Sequence, residues 1–536
     1  MPVLLALSMG LAAQEHNSVP LGHAAYDIIE MGVMRGIISP PPSARPWSLS
    51  VVREKLWEMI NDPEQILWEK ETDTVARVLE SLGRKAGFDP QGGRYRAEGD
   101  SFTLEAGIGW ESDFSVEAPS GLVASANTAK VYAGGDIVDS ASWNVTLLGE
   151  FLYFGRDGHG VSPFCPYSYS KQWDGGVLSL RNGGGYSGWP VDPSLAGGFL
   201  AELNGVFFDD QLQLRLGRIR RDWGPALNGT SLSINSHARP FAAFEGTYSP
   251  LSWLGISFLN GGLEYFREND LEPDKGPFVN MISAVQVEFN PVRYVHFSIG
   301  GSGVWFKDIN MVAFSSLELR VPSLLKIWGS LFVDQLGSFP DDFSSMSSNS
   351  YAWQAGLKTV IHWLPLAAFT LRYTKVEPYC YTGGDPSSAY ASGGESLGYY
   401  MPPNSDELLV RMESRLLPEV QAYIQFQMMR HGAEYGDLAV PGSSLRDTLI
   451  DTRSTKFFLK DGVYRWDNVI KLGGSFDLKL GPVPFNIFAE AGFVLTSFTS
   501  NGDAGIGNEG EYKSINNELY RARDGFVFSV GFRLFP

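Results

Sequence analysis

The sequence predicts a mainly β protein: a transmembrane antiparallel β-barrel of about 18 strands with a small N-terminal α-helical periplasmic subdomain. Three observations predict this class: the composition, a period-two hydrophobic pattern over most of the chain, and an alternation of short and long links. Of the 536 residues, 44% are hydrophobic, 13% are aromatic, only 19% are charged and 60 are Gly. This composition excludes a disordered chain, a coiled coil and a collagen.

The net charge of −18 argues against a nucleic acid as partner. After residue 14 no apolar run approaches the ~18 residues that a membrane-spanning helix needs. Two classes fit both facts, a secreted all-β protein and an outer-membrane barrel.

Residues 1–14 are predicted to form a secretory signal peptide, because an apolar run ends at the small residues Ala12 and Ala13 before polar Gln14. The basic residue that usually opens such a signal is missing, and a short buried helix is the alternative. Since no Cys follows the run, a lipoprotein anchor is disfavoured.

Residues 15–98 are predicted to form the helical periplasmic subdomain. Apolar residues recur at helical spacing in three stretches, 24–36, 48–60 and 63–83. Ser48 is a typical N-cap of the second stretch, and Gly83 a typical end of the third.

Residues 99–536 are predicted to form the outer-membrane barrel, because apolar and polar residues alternate along many segments. In the last segment Phe526 and Phe528 fall on one face, while Val527 and Ser529 fall on the other. The same alternation recurs in residues 212–216, 285–289, 317–321, 420–428 and 476–480. Apolar and polar residues would also alternate in the strands of a soluble β-sandwich. The links between the strands therefore have to distinguish a sandwich from a membrane barrel.

Short links alternate with long ones, which is typical of outer-membrane barrels with tight periplasmic turns and long external loops. The short links are Asp209-Asp210 and turns containing Pro250, Pro291, Pro322, Pro365, Pro418 and Pro482. The long links are residues 221–238, 266–278, 335–349, 377–405, 431–463 and 499–522. The alternating last strand ends in aromatic Phe535 before Pro536 and looks like a signal for the barrel-assembly machinery, so we expect that machinery and outer-membrane lipid as partners.

Catalytic chemistry has little support in the sequence. The seven histidines are scattered without zinc-ligand spacing, and there is no P-loop, dinucleotide fingerprint or G-x-S-x-G elbow. We therefore expect no enzyme activity, no catalytic residues, no metal and no cofactor. Cys165 and Cys380 both lie in loop-like settings and could form one bridge in an oxidising compartment, but the sequence does not decide this.

The most informative segment is 217–241, where a strand becomes a loop rich in Arg, Asp, Trp and Asn. An indole can cover the C–H face of a sugar while an Arg fork pairs with a carboxylate, so these residues suit an acidic polysaccharide. The candidate binding residues are Arg220, Arg221, Asp222, Trp223, Asn228, Ser231, Asn235 and Arg239. The alternative is that they brace the barrel interior through ion pairs.

At this segment the chain resembles the capsule-assembly Wzi family of outer-membrane proteins. The matching elements are Trp223-Gly-Pro225, Ser231-Leu232 and Asn235-Ser-His-Ala-Arg-Pro240, with a second similar stretch at residues 378–408. Asp222 stands where the family often has another Trp. The resemblance implies an 18-stranded barrel with a periplasmic helical bundle and a lectin-like, non-enzymatic role in capsular polysaccharide assembly or attachment, which it carries chiefly to Arg221, Trp223, Asn235 and Arg239.

Two functions remain at this stage. The first is a monomeric barrel of the bacterial outer membrane that binds capsular or other surface polysaccharide. The second is a porin that passes solutes, with an N-terminal region that vaguely resembles S-layer-homology modules. Alternating charges of mixed sign, such as Arg411, Glu413 and Arg415, favour a plugged or ligand-lined lumen.

Overall fold

A computed structural model describes most of the chain outside its first residues and several long loops. The described residues are 16–83, 87–89, 94–99, 102–118, 122–138, 140–154, 164–165, 167, 176–180, 192–208, 211–227, 229–264, 278–305, 309–335, 350–383, 388–393, 395–433, 440–445, 447, 458–459, 462–480, 483–501 and 524–534. The predicted signal peptide, 1–14, lies outside them.

Within these residues, eighteen antiparallel strands close into one barrel, which confirms the predicted fold class. The strands are β1 Thr103–Ala118, β2 Leu122–Val138, β3 Ala141–Phe154, β4 Asp192–Phe207, β5 Leu212–Ile219, β6 Phe241–Leu251, β7 Leu254–Glu264, β8 Phe278–Val292, β9 Val295–Trp305, β10 Asn310–Val321, β11 Leu325–Gln335, β12 Ser350–Ile361, β13 Ala367–Val376, β14 Ser405–Leu417, β15 Val420–Gly432, β16 Gly462–Leu480, β17 Val483–Asn501 and β18 Asp524–Leu534.

The barrel closes because the last strand, β18, pairs with the first, β1. Phe526 of β18 lies opposite Ala118 of β1, and Leu534 lies opposite Trp110. A closed barrel leaves no strand edge unpaired, which is what hydrocarbon requires of a backbone that crosses it.

Three short strands extend the wall beside longer ones. Gly87–Asp89 pairs with Arg94–Glu98, which in turn pairs with the start of β1. Gly176–Leu180 pairs with β4. The first two fall inside the range predicted to be helical, 15–98, so strand structure begins earlier than predicted, because these residues continue the hydrogen-bond ladder of β1.

The alternation of side chains places apolar groups outside and polar groups inside. On β10, Leu317 and Leu319 are exposed on the outer surface, whereas Glu318 and Arg320 are buried. The period of two in the sequence thus corresponds to a lipid-facing and a lumen-facing row.

The two ends of the barrel differ as the link lengths predict. Short turns at 252–253, 293–294, 322–324, 362–366 and 418–419 lie at one end, which we call the short-turn end. Long links such as 220–240 and 377–404 lie at the other, the long-loop end. In outer-membrane barrels the short turns face the periplasm and the long loops face the outside.

Three helices precede the wall in the described residues: α1 Ala24–Arg35, α2 Leu49–Ile60 and α3 Glu69–Leu82. Ser48 Oγ accepts the Val51 N–H at the start of α2, and α3 ends at Gly83 as predicted. Residues 63–68 were predicted as helix but form a turn, because the Asp62 carboxylate accepts backbone N–H groups from two of them. None of the described helices is long and apolar enough to cross a membrane.

The helices dock at the short-turn end. Arg35 of α1 and Glu71 of α3 form a bidentate ion pair at 2.6 and 2.7 Å, and a Glu71 oxygen also accepts the Leu366 N–H from a turn of the wall at 2.8 Å. Ser323 N, in another turn, donates to the Met34 carbonyl at 2.9 Å. These contacts fix the helical unit to the barrel wall.

Candidate functional site

The segment 220–240 folds back into the lumen instead of projecting from the barrel. Ile219 and Phe241 lie opposite each other at the ends of β5 and β6. Between them, Asp222–Trp223 forms an antiparallel pair with Ala44–Arg45 from the link between α1 and α2. A loop from one end of the barrel and a segment from the helical unit therefore meet inside it.

Arg221 holds this loop against the wall. Its guanidinium is fully buried, its Nε lies 2.5 Å from Glu245 Oε2, and its other nitrogens donate to the carbonyls of Gly217, Ile219 and Phe241. It also lies over the Phe241 ring, 4.7 Å from the centroid. The guanidinium nitrogens of Arg221 are thus bonded to other groups of the protein.

Asp222 is paired inside the barrel with a residue of the helical unit. Arg45 Nη2 lies 3.1 Å from Asp222 Oδ2 and also donates to the carbonyls of Gly224 and Ala226 at 3.0 and 2.6 Å. Burial raises the pKa of Asp222, while the Arg45 charge opposes the rise. The pair clamps the Gly224-Pro225 bend to the N-terminal region.

Trp223 is buried, with 3% of its surface exposed. The backbone N–H of Trp223 donates to the Ile234 carbonyl at 2.8 Å. The backbone carbonyl of Trp223 accepts from the hydroxyls of Ser231 and Ser233. Asn235 Nδ2 donates to the Ser231 carbonyl at 3.2 Å, which tightens the same turn.

The predicted set of sugar-binding residues therefore divides. Five of them are buried: Arg221, Asp222, Trp223, Ser231 and Asn235. Arg221 contacts the wall and Asp222 the helical unit, whereas Ser231 and Asn235 bond within the loop itself. These are the contacts that the bracing alternative expects, and sugar binding by this set stays a prediction. Asn228 lies outside the described residues.

Arg220 and Arg239 are the members of the set that remain half-buried. They lie next to Ile219 and Phe241, at the long-loop end. Arg220 Nη1 donates to the Ser236 carbonyl at 2.6 Å. Arg239 runs along Gly393, where a Cβ would stand only 2.4 Å from Arg239 Cδ, so glycine makes room for the arginine.

The second motif stretch packs on the first. Tyr381 Oη donates to the Leu232 carbonyl at 3.1 Å, and the His237 and Tyr400 rings lie 5.2 Å apart. Tyr381 and Tyr390 are fully buried against Phe332 of the wall. We call residues 220–240 and 377–404 together the plug.

The two cysteines are buried in the same region. Cys165 Sγ lies 3.6 Å from Met429 Sδ. Cys165 and Cys380, which the sequence left open as a bridge, do not form a disulfide in the described structure.

A cavity of about 280 Å³ lies between the plug, α1 and the wall strands β11 to β16. Among the described residues, four cations and three carboxylates line it. They are Lys358, Arg372, Arg411, Lys471, Glu30, Glu407 and Glu413. The sequence indicates some of them as lumen charges but not as a site, because their convergence depends on the register of four strands and on the docking of α1.

The charges around the cavity form a chain of ion pairs. Glu30 of α1 bridges Lys326 and Lys358, each at 2.6 Å, and Lys358 also reaches Glu413 at 3.2 Å. Arg411 contacts the other Glu413 oxygen at 2.9 Å. The helical unit thus supplies a buried carboxylate to the lumen.

Two side chains outside the strands, Asp27 and His237, have pKa values shifted from their ordinary range. Burial raises the pKa of Asp27 to about 6, and the nearby Glu413 carboxylate adds to the effect. Burial, together with the charges of Arg220 and Arg372, lowers the pKa of His237 to about 4. His237 is therefore neutral at pH 7.

This architecture, a closed 18-strand barrel with an apolar exterior and a polar lumen, defines a class: the bacterial outer-membrane β-barrel proteins. No family model and no curated protein matches the sequence.

Among solved structures, the chain is similar to Wzi of Escherichia coli, an outer-membrane, carbohydrate-binding β-barrel involved in group 1 capsule assembly. The identity is 14%, the match covers 96% of this chain and 99% of Wzi, and the TM-score is 0.58. OpdK of Pseudomonas aeruginosa, solved with vanillate, is 14% identical over 81% of this chain and 98% of its own, with a TM-score of 0.45. OprD of the same species is 11% identical over 84% and 99%, with a TM-score of 0.41.

The likeness to Wzi concerns the fold, and it supports placing the protein in the bacterial outer membrane. The predicted membership of the Wzi family rests on the motif residues and stays a prediction.

Proposed function

We propose that the protein binds surface polysaccharide at its long-loop end and assists capsule or exopolysaccharide assembly or attachment, without enzymatic activity. The observation that carries the proposal is the plug. Two long loops occupy the lumen and leave Arg220 and Arg239 half-buried near the ends of β5 and β6. The Arg220 charge acts on His237, whose ring lies 5.2 Å from that of Tyr400.

This rim patch, Arg220, His237, Arg239 and Tyr400, has the chemistry that acidic glycans need. Guanidinium forks pair with carboxylates and hydroxyls, and aromatic rings cover the C–H faces of sugars. The patch keeps Arg220 and Arg239 of the predicted set and leaves out Trp223, whose indole is buried. The capsule-assembly role printed for Wzi, which shares the fold, agrees with a function of this kind.

Replacing both rim arginines tests the proposal. We expect Arg220→Ala with Arg239→Ala to weaken binding of acidic bacterial polysaccharides on a glycan array about 10- to 100-fold, because charge-assisted hydrogen bonds contribute about 1.5–3 kcal/mol. The matched control is Arg293→Ala, an exposed arginine in a turn at the opposite end. Unchanged binding in the double variant, or equal losses in the control, would contradict the rim patch.

A solute channel is the second candidate, and the cavity in the lumen favours it. We expect purified protein in planar bilayers to give no large, steady single-channel currents, because the plug lies in the path. Large, steady currents would favour the channel over the polysaccharide-binding barrel.

A further inference from the structure

We infer that the cavity beneath the plug binds one small hydroxylated carboxylate, of the size of a single sugar acid. The inference goes beyond the proposed function, because it concerns a cavity inside the lumen that the two rim arginines do not line, although His237 and Tyr400 of the rim patch do. It rests on three features of the cavity: its charge, its neutral polar lining and its size.

The charge of the lining favours a single negative charge. Strands β12, β13, β14 and β16 each supply one cation to the lining, namely Lys358, Arg372, Arg411 and Lys471. Among the described residues, three carboxylates line the cavity with them. Lys471 is also paired with Glu490, behind the lining, at 3.0 Å, so most of these charges have partners within the protein. A ligand carboxylate would add a partner for the lining cations, and buried charges are stable when paired.

Arg372 is the group that best fits the role of carboxylate partner. It is buried, and its Nη2 contacts both oxygens of Glu407 at 3.2 Å. Its Nε has no hydrogen-bond partner among the described residues. A buried guanidinium nitrogen without an acceptor is costly, and a ligand oxygen would supply one.

The neutral lining suits hydroxyl groups. Gln425 and Gln427 on β15 and Thr370 on β13 present amide and hydroxyl groups, and Trp328 and Tyr400 add aromatic surface. Side-chain amides both donate and accept hydrogen bonds, as the hydroxyls of a sugar do. This combination of rings and amides is what a polyol with one charge requires.

The volume limits the ligand to one small molecule. At about 280 Å³ the cavity lies just below the ~300 Å³ at which pockets for drug-sized ligands begin. A chain of several sugars does not fit, whereas a single sugar ring does. The occupant is therefore a free acid or the end residue of a glycan.

Calorimetric titration of the full-length protein in detergent tests the inference, with D-glucuronate as probe and D-glucose as its neutral counterpart. We expect glucuronate to bind at least 10-fold more tightly than glucose. Arg372→Lys, which keeps the charge but loses the fork, should weaken glucuronate at least 10-fold. Arg320→Lys is the matched control, because Arg320 is a buried lumen arginine paired with Glu318 that does not line the cavity.

A second variant guards against misfolding of the first. Thr370→Phe fills the cavity without removing a charge, so it should abolish glucuronate binding, and heat-dependent gel migration checks that each barrel is folded. Equal affinity for the two sugars, no binding of glucuronate, undiminished binding in Thr370→Phe, or equal weakening in Arg320→Lys would overturn the inference.

Competition by a tetrasaccharide with a terminal uronate identifies the source of the carboxylate. Competition shows that a glycan end enters the cavity, and its absence shows that the ligand is a free acid. Either result is consistent with the inference. Because the rim variants leave the cavity intact, failure of the rim patch and failure of the cavity site are distinguishable.

Discussion

The two ends of the lumen are closed by different kinds of contact. At the short-turn end, the Arg35–Glu71 pair is 4% and 0% exposed, and the helical unit meets the wall through buried charges. At the long-loop end, Arg221 and Asp222 of the plug are buried and paired, while Arg220 and Arg239 stay half-buried. The difference teaches that arginines of one loop can be enclosed or half-buried, and that the partners folded around each of them decide which.

The largest effect expected is at the anchored end. Glu71→Ala should lower the free energy of opening of the helical unit by about 5 kcal/mol, the upper end of the range of about 3–5 kcal/mol for a broken buried ion pair. The loss is large because Arg35 stays buried without its partner and because the Leu366 N–H also loses its acceptor. Native-state hydrogen exchange of α1 and α3 measures it. The control is Glu58→Ala, whose pair with Lys55 is more exposed and should contribute less than about 0.5 kcal/mol.

A somewhat smaller effect is expected deep in the plug. Trp223→Ala should destabilise the plug by about 3–4 kcal/mol, because removing a buried indole leaves a cavity. The loss is measured by following proteolysis of the plug as the denaturant concentration is raised. The control is Trp57→Ala, at an exposed position of α2. Unchanged stability together with lost glycan binding would restore the indole as a sugar contact.

The smallest effect is a pH dependence of docking at the short-turn end. Because burial raises the pKa of Asp27 to about 6, the folded state holds a proton that the unfolded chain, with an Asp pKa of ~3.9, releases. Protonation therefore stabilises docking, and the gain is lost as the pH rises from about 4 through 6, by about 1–2 kcal/mol after allowance for partial exposure. Hydrogen exchange of α1 across this range should show the decline in the wild type and a flat profile in Asp27→Asn.

Much of the fold was predictable because the wall obeys a local rule. Each strand sees lipid on one side and the lumen on the other, so rows such as Leu317, Leu319 and Val321 appear directly in the sequence. The short turns followed from the Pro-containing short links, and the end of α3 followed from the helix-terminating Gly83. Residues 63–68 were harder, since a helical spacing of Ile66 and Leu67 does not reveal that the Asp62 carboxylate accepts the Glu64 and Ile66 N–H groups.

The site was only partly predictable, because the direction of a loop is not a local property. Arg, Asp and Trp in 220–240 suit an exposed sugar patch and a buried ion-pair network equally well. The partners that decide between them, Arg45 and Glu245, come from the helical unit and from the next strand. Likewise, the cavity joins side chains from six strands, one helix and the plug, and such convergence follows from barrel closure alone.

The short pairing of Ala44–Arg45 with Asp222–Trp223 links two compartments through the interior of one molecule. Its first strand leads to the helices at the short-turn end, and its second belongs to a loop that begins and ends at the long-loop end. Backbone from opposite ends of the barrel is therefore hydrogen-bonded together in the middle of the lumen, so a change in the conformation of either segment meets the other directly.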